Sequence, residues 1–221
     1  MTTIGFIGSG NIGSTLARLA VGAGHDVVLS NSRSPETLHN LIAELGPRAR
    51  AATTAEAATV GDIVVVAVPI RAYRQVPAAP LRGKVVIDTL NYDPARQGRV
   101  PEIEAGDTPA PLLLQSHLAG SSVVKAFSTV FFKHLANLGR PAGAADRSAV
   151  PIAGDDPIAK KAVAALIDSL GYDTYDVGPL AESRRFAPGT PAQHAHLDPA
   201  GMFAAPGRPA SADDLAKLLS A

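Results

Sequence analysis

Three glycines, Gly8, Gly10 and Gly13, directly follow an apolar run from Ile4 to Ile7 and overlap a helical pattern that begins at Asn11. Glycines in this order and spacing suit a pyrophosphate. Gly8 permits a tight turn, Gly10 leaves room for phosphate against the backbone, and Gly13 lets a helix pack close to a strand. The helix N-terminus adds unpaired N–H groups and a positive dipole end. The next chemistry-bearing cluster is Ser30-Asn31-Ser32-Arg33, at the end of the second apolar run. An NAD site places a carboxylate about 20 residues beyond the turn to accept from the adenosine ribose. Here no acid is present. Ser32 can donate to a 2′-phosphate and Arg33 can pair with it in a forked, charge-assisted geometry, which predicts NADP(H).

Further candidates lie after successive strand ends, where open α/β sheets bind ligands: Pro69 and Ile70, Asn91 and Tyr92, then Ser128 and Thr129. Each has a structural alternative, since Asn91 and Tyr92 could close a polar turn and Ser128 could cap the following helix. Hydride transfer needs two carbons held face to face in a dry site, with no nucleophile or metal, so the lack of a catalytic dyad is no objection. His194 and His196 lack an evident third ligand, and no metal is expected. His117 and His134 read as packed or surface histidines that could also protonate a heteroatom. Asp155 and Asp156 precede Pro157 at a helix start and read as caps. Arg184 and Arg185 could hold an anionic substrate or a loop.

These residues need a scaffold, and its strands are visible as apolar runs. Asp26 to Ser30, Ile63 to Val68, Lys84 to Asp88, Ser122 to Ala126, Ala149 to Ala153 and Asp173 to Val177 read as strands, with Ala51 to Thr53 a weaker one. I-V-V-V-A-V at Ile63 to Val68 is the continuous pattern of a strand buried on both faces of a parallel sheet. Between them fall helical patterns: Asn11 to Val21 with Ile12, Leu16, Leu19 and Ala20, a helix opened by Ser34 and Pro35 to about Leu45, and a short one at Ala55 to Ala58. Further helices are expected near Leu112 to Leu118 and from Pro157 to Leu170, with Ile158, Ala162, Ala165 and Leu166 as the stripe of the latter. A Pro- and Gly-containing stretch runs from Asn91 to Pro111. The alternation predicts an α/β fold, a Rossmann-like doubly wound, mainly parallel sheet with helices on both faces. Residues 1–185 form this domain. Residues 186–221 are an arm, Pro-rich from Phe186 to Ala210 and ending in a helix from Leu215 to Leu219 capped by Ser211 and Asp214, and are not an independent domain.

Composition narrows the partners. Lys+Arg and Asp+Glu are both 20, so no net field draws nucleic acid or an anionic membrane. The absence of Cys excludes disulfides and thiolate chemistry and suits a reducing, cytoplasmic setting. No basic leader precedes the first strand, and no apolar stretch approaches the ~20 residues that span a bilayer.

The strings G-F-I-G-S-G-N-I-G, N-S-R, V-A-V-P, V-V-K-A-F, P-I-A-G-D-D and D-V-G-P-L-A-E-S-R, in this order through about Pro191, resemble the NADP oxidoreductase family named for the deazaflavin coenzyme F420. I-D-T-x-N-Y-x-P at Ile87 to Pro94 and F-F-x-H-L at Phe131 to Leu135 are similar to its bacterial branch. The resemblance implies hydride transfer between NADPH and a second carrier at the carboxyl ends of the strands, in a dimer. Ser9, Asn11 and Ile12 would cradle the pyrophosphate, Ser32 and Arg33 the 2′-phosphate, and Val68 and Pro69 would lie beside the nicotinamide. Archaeal members that use the deazaflavin carry Lys where this chain has Thr37, and His-Thr where it has Ser128-Thr129. Two other readings stay open. One is reduction of a small C=N or C=O substrate, as in pyrroline-carboxylate reductases, although those carry a long helical domain after the Rossmann unit. The other is a non-catalytic NADP(H) sensor. Phe127, Phe131, Phe132 and the arm are candidates for a homodimer interface.

Overall fold

The computed structural model describes residues 1–106, 108–198, 200–201 and 206–220. Eight strands, β1 (Thr3–Ile7), β2 (Asp26–Ser30), β3 (Ala49–Ala51), β4 (Ile63–Val66), β5 (Val85–Asp88), β6 (Ser122–Lys125), β7 (Ala149–Gly154) and β8 (Asp173–Gly178), form one sheet in the order β3-β2-β1-β4-β5-β6-β7-β8. The first six are parallel, in the order of a doubly wound nucleotide-binding sheet, with the reversal between β1 and β4. β7 then pairs antiparallel with β6 through Val124↔Gly154 and Lys125↔Ala153, and β8 runs parallel to β7.

Alternate residues of each central strand feed opposite layers, which is why these strands read as unbroken apolar runs. Ile4, Phe6, Val65, Ile87 and Val124 pack on one side with Leu16, Ala17 and Leu166. Ile7, Val64, Val66, Val86 and Val123 pack on the other with Tyr73, Leu81 and Leu114. The long helices are α1 (Asn11–Gly22) and, much later, α9 (Pro157–Ser169), with α2 (His39–Leu45), α3 (Thr54–Val60), α4 (Ala78–Leu81), α5 (Pro94–Gln97), α6 (Pro101–Glu104), α7 (Leu113–His117) and α8 (Phe132–Asn137) between them. α10 (Ala212–Ser220) ends the chain.

Several boundaries move for local reasons. The weak strand shifts to Ala49–Ala51 because Thr53 is the N-cap of α3: its side chain accepts from the Glu56 N–H while the Glu56 carboxylate accepts from the Thr53 N–H. The fourth strand stops at Val66, and residues 67–69 turn into the site instead. Pro35 does open a helix, but its first turn, Pro35–Leu38, is 3₁₀ and Ser34 makes no side-chain cap. The stripe of α9 is rotated from expectation. Asp156 caps this helix, accepting from the N–H groups of Ile158 and Ala159. The phase so set buries Ala159, Val163, Leu166 and Ile167 and leaves Ile158 78% exposed.

The arm is laid across β7 and β8. Phe186, Ala192, Ala195, Ala210, Leu215 and Leu219 join Ala149, Ala153 and Val177 in a third apolar cluster. The Ala149 N–H donates to the Ala210 carbonyl, and the Arg185 guanidinium donates to the Leu219 carbonyl. Ser211 and Asp214 cap α10 reciprocally, as their spacing predicts. Of the Pro-rich stretch, residues 199 and 202–205 lie outside the described residues.

Candidate functional site

The glycine turn is assembled by close backbone contact. Gly8 has φ +103°, a left-handed conformation, and a Cβ there would sit 2.3 Å from the Ala67 carbonyl oxygen. A Cβ on Gly13 would sit 2.1 Å from the Gly8 carbonyl oxygen, so no side chain fits between α1 and the turn. A Cβ on Gly10 would meet nothing, so its face of the turn is open space. The Gly8 N–H donates to the Ser30 carbonyl and the Ser30 hydroxyl to the Phe6 carbonyl, which fixes the turn against the end of β2. Gly10 is the N-cap of α1 without a side-chain bond, and no acid occupies the first turn. The first N–H groups of α1 thus face an open space at a positive dipole end, the donor set a pyrophosphate requires.

Beyond β2, Asn31 shapes the next loop. Its carbonyl oxygen Oδ1 accepts from the Arg33 N–H at 2.8 Å, and its amide donates to the Thr37 hydroxyl at 2.8 Å. Thr37 in turn donates to the Ser34 carbonyl, so this position is committed to loop geometry. The Arg33 side chain is exposed and, among the described residues, its guanidinium has no hydrogen-bonding partner. The residues suit an anionic dinucleotide: an open phosphate cradle, and a free forked cation two residues beyond Asn31.

From Gly10, Asn11 and Ile12 a cavity of about 370 Å³ extends across the carboxyl ends of β4, β5 and β6. Val68 and Pro69 form one side, Asn91, Asp93 and Gln97 another, and Ser128 to Phe132 with His134 the far wall; Pro188, Gln193, His194 and Leu197 of the arm close it. Ser128 and Thr129 are buried, and neither hydroxyl has a hydrogen-bond partner among the described residues. Buried unpaired hydroxyls are rare, because desolvation is uncompensated until something bonds to them. Their presentation depends on Phe127, which has φ +58°, the one positive value among described non-glycine residues. Strain of this kind collects at ligand sites.

The expected site residues therefore divide. Gly8, Ser9, Gly10, Asn11, Ile12 and Gly13 surround the helix start, and Asn31, Ser32 and Arg33 form the outer loop. Val68, Pro69, Asn91, Ser128 and Thr129 meet around the cavity. Ile70 is buried in the core below, its N–H donating to the Gln97 side chain. Tyr92 turns away to donate its hydroxyl to Glu104, a bond that raises its pKa. The aromatic patch is also divided: Phe127 belongs to the core, whereas Phe131 and Phe132 line the cavity with ring centroids 4.6 Å apart.

Four of the remaining candidates, His117, Asp155, Asp156 and Arg184, have structural partners. His117 bonds the Val76 carbonyl and meets Tyr73 edge-on. Asp155 accepts from the Leu180 N–H, and Asp156, besides capping α9, accepts from the Ser122 hydroxyl, the main cause of its lowered pKa. Arg184 pairs with Glu182. His196 is 1% exposed, and burial pushes its pKa down to about 4. Among the described residues, no three His, Cys, Asp or Glu side chains gather as a metal site, and no helix is long and apolar enough to cross a membrane.

Asp88 and Lys125, which end β5 and β6 beneath the cavity, form a buried ion pair that strand patterns alone miss. The available signal was two apolar runs, V-V-I-D and S-V-V-K, ending in opposite charges.

The family model of the NADP oxidoreductases, coenzyme F420-dependent, matches residues 3–92, which span the sheet from β1 to the loop after β5. Among solved structures, the chain is similar to a hypothetical protein from Sinorhizobium meliloti, at 30% identity and TM-score 0.71, covering 83% of this chain and 88% of that one. It is similar also to a proposed F420-dependent NADP reductase from Arthrobacter sp., at 26% identity and TM-score 0.70 over the same shares. Rat metalloreductase STEAP3 is 30% identical over 184 residues, 82% of this chain, and the chain spans about a third (35%) of that relative's length. The chain belongs to the coenzyme F420-dependent NADP oxidoreductase family and is an NADP-dependent oxidoreductase.

Proposed function

We propose that the protein transfers a hydride between NADP(H), held by the glycine turn and the Asn31–Arg33 loop, and a deazaflavin seated in the cavity over the ends of β4 to β6. The observation that carries this reading is the continuity of one cavity. It runs from the phosphate cradle at Gly10 to two buried, unpaired hydroxyls and an aromatic wall.

NADPH, when bound, supplies the hydride. The protein's own contribution is binding, orientation and exclusion of water. The α1 N–H groups take the pyrophosphate, Ser32 and Arg33 the 2′-phosphate, and Val68 and Pro69 present an apolar surface to the nicotinamide. The Ser128 and Thr129 hydroxyls donate to a polar edge of the acceptor, and Phe131 and Phe132 pack against its plane. Holding both partners in this geometry is the main source of rate for a reaction that needs no nucleophile.

A second reading, reduction of a small C=N or C=O substrate, is favoured by His134 and His194 in the cavity wall, which could deliver the proton such a substrate takes at its heteroatom. Mixing the protein with NADPH and a deazaflavin while following both absorbances separates the readings. Coupled loss of both oxidised deazaflavin and NADPH supports the first. NADPH oxidation only with an imine or carbonyl compound supports the second. Tight NADPH binding without turnover on any acceptor leaves a sensor. We place the protein in the cytoplasm because it has no cysteine. By family resemblance it is a homodimer, which light scattering at micromolar concentration tests; a monomer there removes that part of the reading.

A further inference from the structure

We infer that Lys125 is a positioning residue for the second-substrate pocket, acting on Ser128 and Thr129 through the loop after β5. Asp88 and Lys125 are direct register partners on neighbouring parallel strands. Their side chains are 2% and 9% exposed, with Lys125 Nζ 3.2 Å from Asp88 Oδ1. The pair grips a single residue. Asp88 Oδ1 accepts from the Leu90 N–H at 2.7 Å, and Lys125 Nζ donates to the Leu90 carbonyl. With Leu90 fixed on both sides, Asn91 is aimed: its amide donates to the Ser128 carbonyl at 2.7 Å. The Ala126 N–H completes the link by donating to the Asp88 carbonyl at 3.0 Å.

Between Ala126 and Ser128 lies Phe127 in its left-handed conformation, buried, with the two unpaired hydroxyls immediately after it. A strained residue persists only where its surroundings over-determine it. The bonds of Asp88 to Ala126 and of Asn91 to Ser128 bracket Phe127 on both sides, and Lys125 holds the Leu90 end of the loop that carries Asn91. Stability is a poor account of this pair, because a buried ion pair replaced by apolar or neutral groups of similar shape is often neutral or better. The geometry it imposes is a better account: it converts a strand end into a rigid presentation of two hydroxyls.

The inference rests on the proposed role of those hydroxyls, and the test separates the two. The double variant Asp88→Asn/Lys125→Met removes both charges without leaving one unpaired. Hydrogen–deuterium exchange needs no second substrate. It is expected to rise about tenfold or more in the peptides over residues 86–92 and 124–130 and to stay unchanged over residues 3–22. With NADPH and the deazaflavin, KM for NADPH stays within about twofold while kcat/KM for the acceptor falls about tenfold or more. Adding Ser128→Ala to the double variant lowers it little further, whereas in the wild-type background the same change lowers it fully. Unchanged exchange in those peptides overturns the inference, as does an equal effect of Ser128→Ala in both backgrounds. If the wild-type protein turns over no deazaflavin, the functional reading fails and exchange alone decides the clamp. Should the double variant not fold, Asn91→Ala cuts the same chain nearer the surface. It must then speed exchange over residues 124–130, and no change there overturns the inference.

Discussion

The side-chain amide of Asn91 donates to the backbone carbonyl of Ser128 at 2.7 Å, tying the loop after β5 to the loop after β6 at the cavity wall. The two loops are 37 residues apart in sequence and belong to neighbouring parallel strands. In the proposed function, the nicotinamide and the acceptor meet over this joint.

In the proposed function, cofactor choice is set at the far end of the site. With no carboxylate after β2 and a free guanidinium at Arg33, Arg33→Ala is expected to weaken NADPH binding roughly 10- to 100-fold, the range of a charge-assisted hydrogen bond. NADH binding should stay within about twofold. Titration of cofactor fluorescence checks this, and equal losses for both cofactors remove the role.

The glycine turn tolerates no side chain at Gly13. Gly13→Ala puts a Cβ 2.1 Å from the Gly8 carbonyl oxygen. The helix must then move off the strand, at about 1–3 kcal/mol of stability or more, and the phosphate cradle moves with it. Calorimetry and NADPH titration should show both losses together.

Ser128 and Thr129 predict opposite effects on stability and activity. Their hydroxyls are buried without partners among the described residues, so Ser128→Ala removes an uncompensated group and should stabilise the ligand-free protein by about 1 kcal/mol. The same variant should lose turnover. A melting temperature that falls with Ser128→Ala would mean that the hydroxyl has a partner within the protein.

His196 gives the arm a pH dependence. Its folded pKa is depressed to about 4, against about 6.5 when unfolded, because burial disfavours the charged ring. Between these values the unfolded chain binds more protons than the folded one. The contribution is therefore complete above pH 6.5 and is lost as pH falls toward 4, about 3 kcal/mol in all. Denaturant titrations of wild type and His196→Leu across this window should show a shallower acid limb in the variant.

How much of this is legible in residue order depends on the range of the forces involved. β4 and β5 are recognisable because I-V-V-V and V-V-I must be buried on both faces, and the glycine turn because a strand precedes it and a helix overlaps it. The direction of β7 is not recognisable: A-V-P-I-A carries no mark of antiparallel pairing, which rests on two register pairs with β6. Asp88 and Lys125 each look like the polar end of a strand, and only the register makes them a pair. His196 lies in a stretch without periodicity, and its burial follows from the packing of the arm on β7 and β8. At Ile158 the cap at Asp156 decided the helix phase against the apolar pattern.

The most direct test of the account is a stopped-flow mixture of the protein with NADPH and an oxidised deazaflavin, read at the absorbances of both. The account predicts that the two signals fall together, one NADPH for each deazaflavin reduced, and that Arg33→Ala slows the reaction at low NADPH while Ser128→Ala slows it at every concentration. Tight NADPH binding with no change in the deazaflavin signal would contradict it.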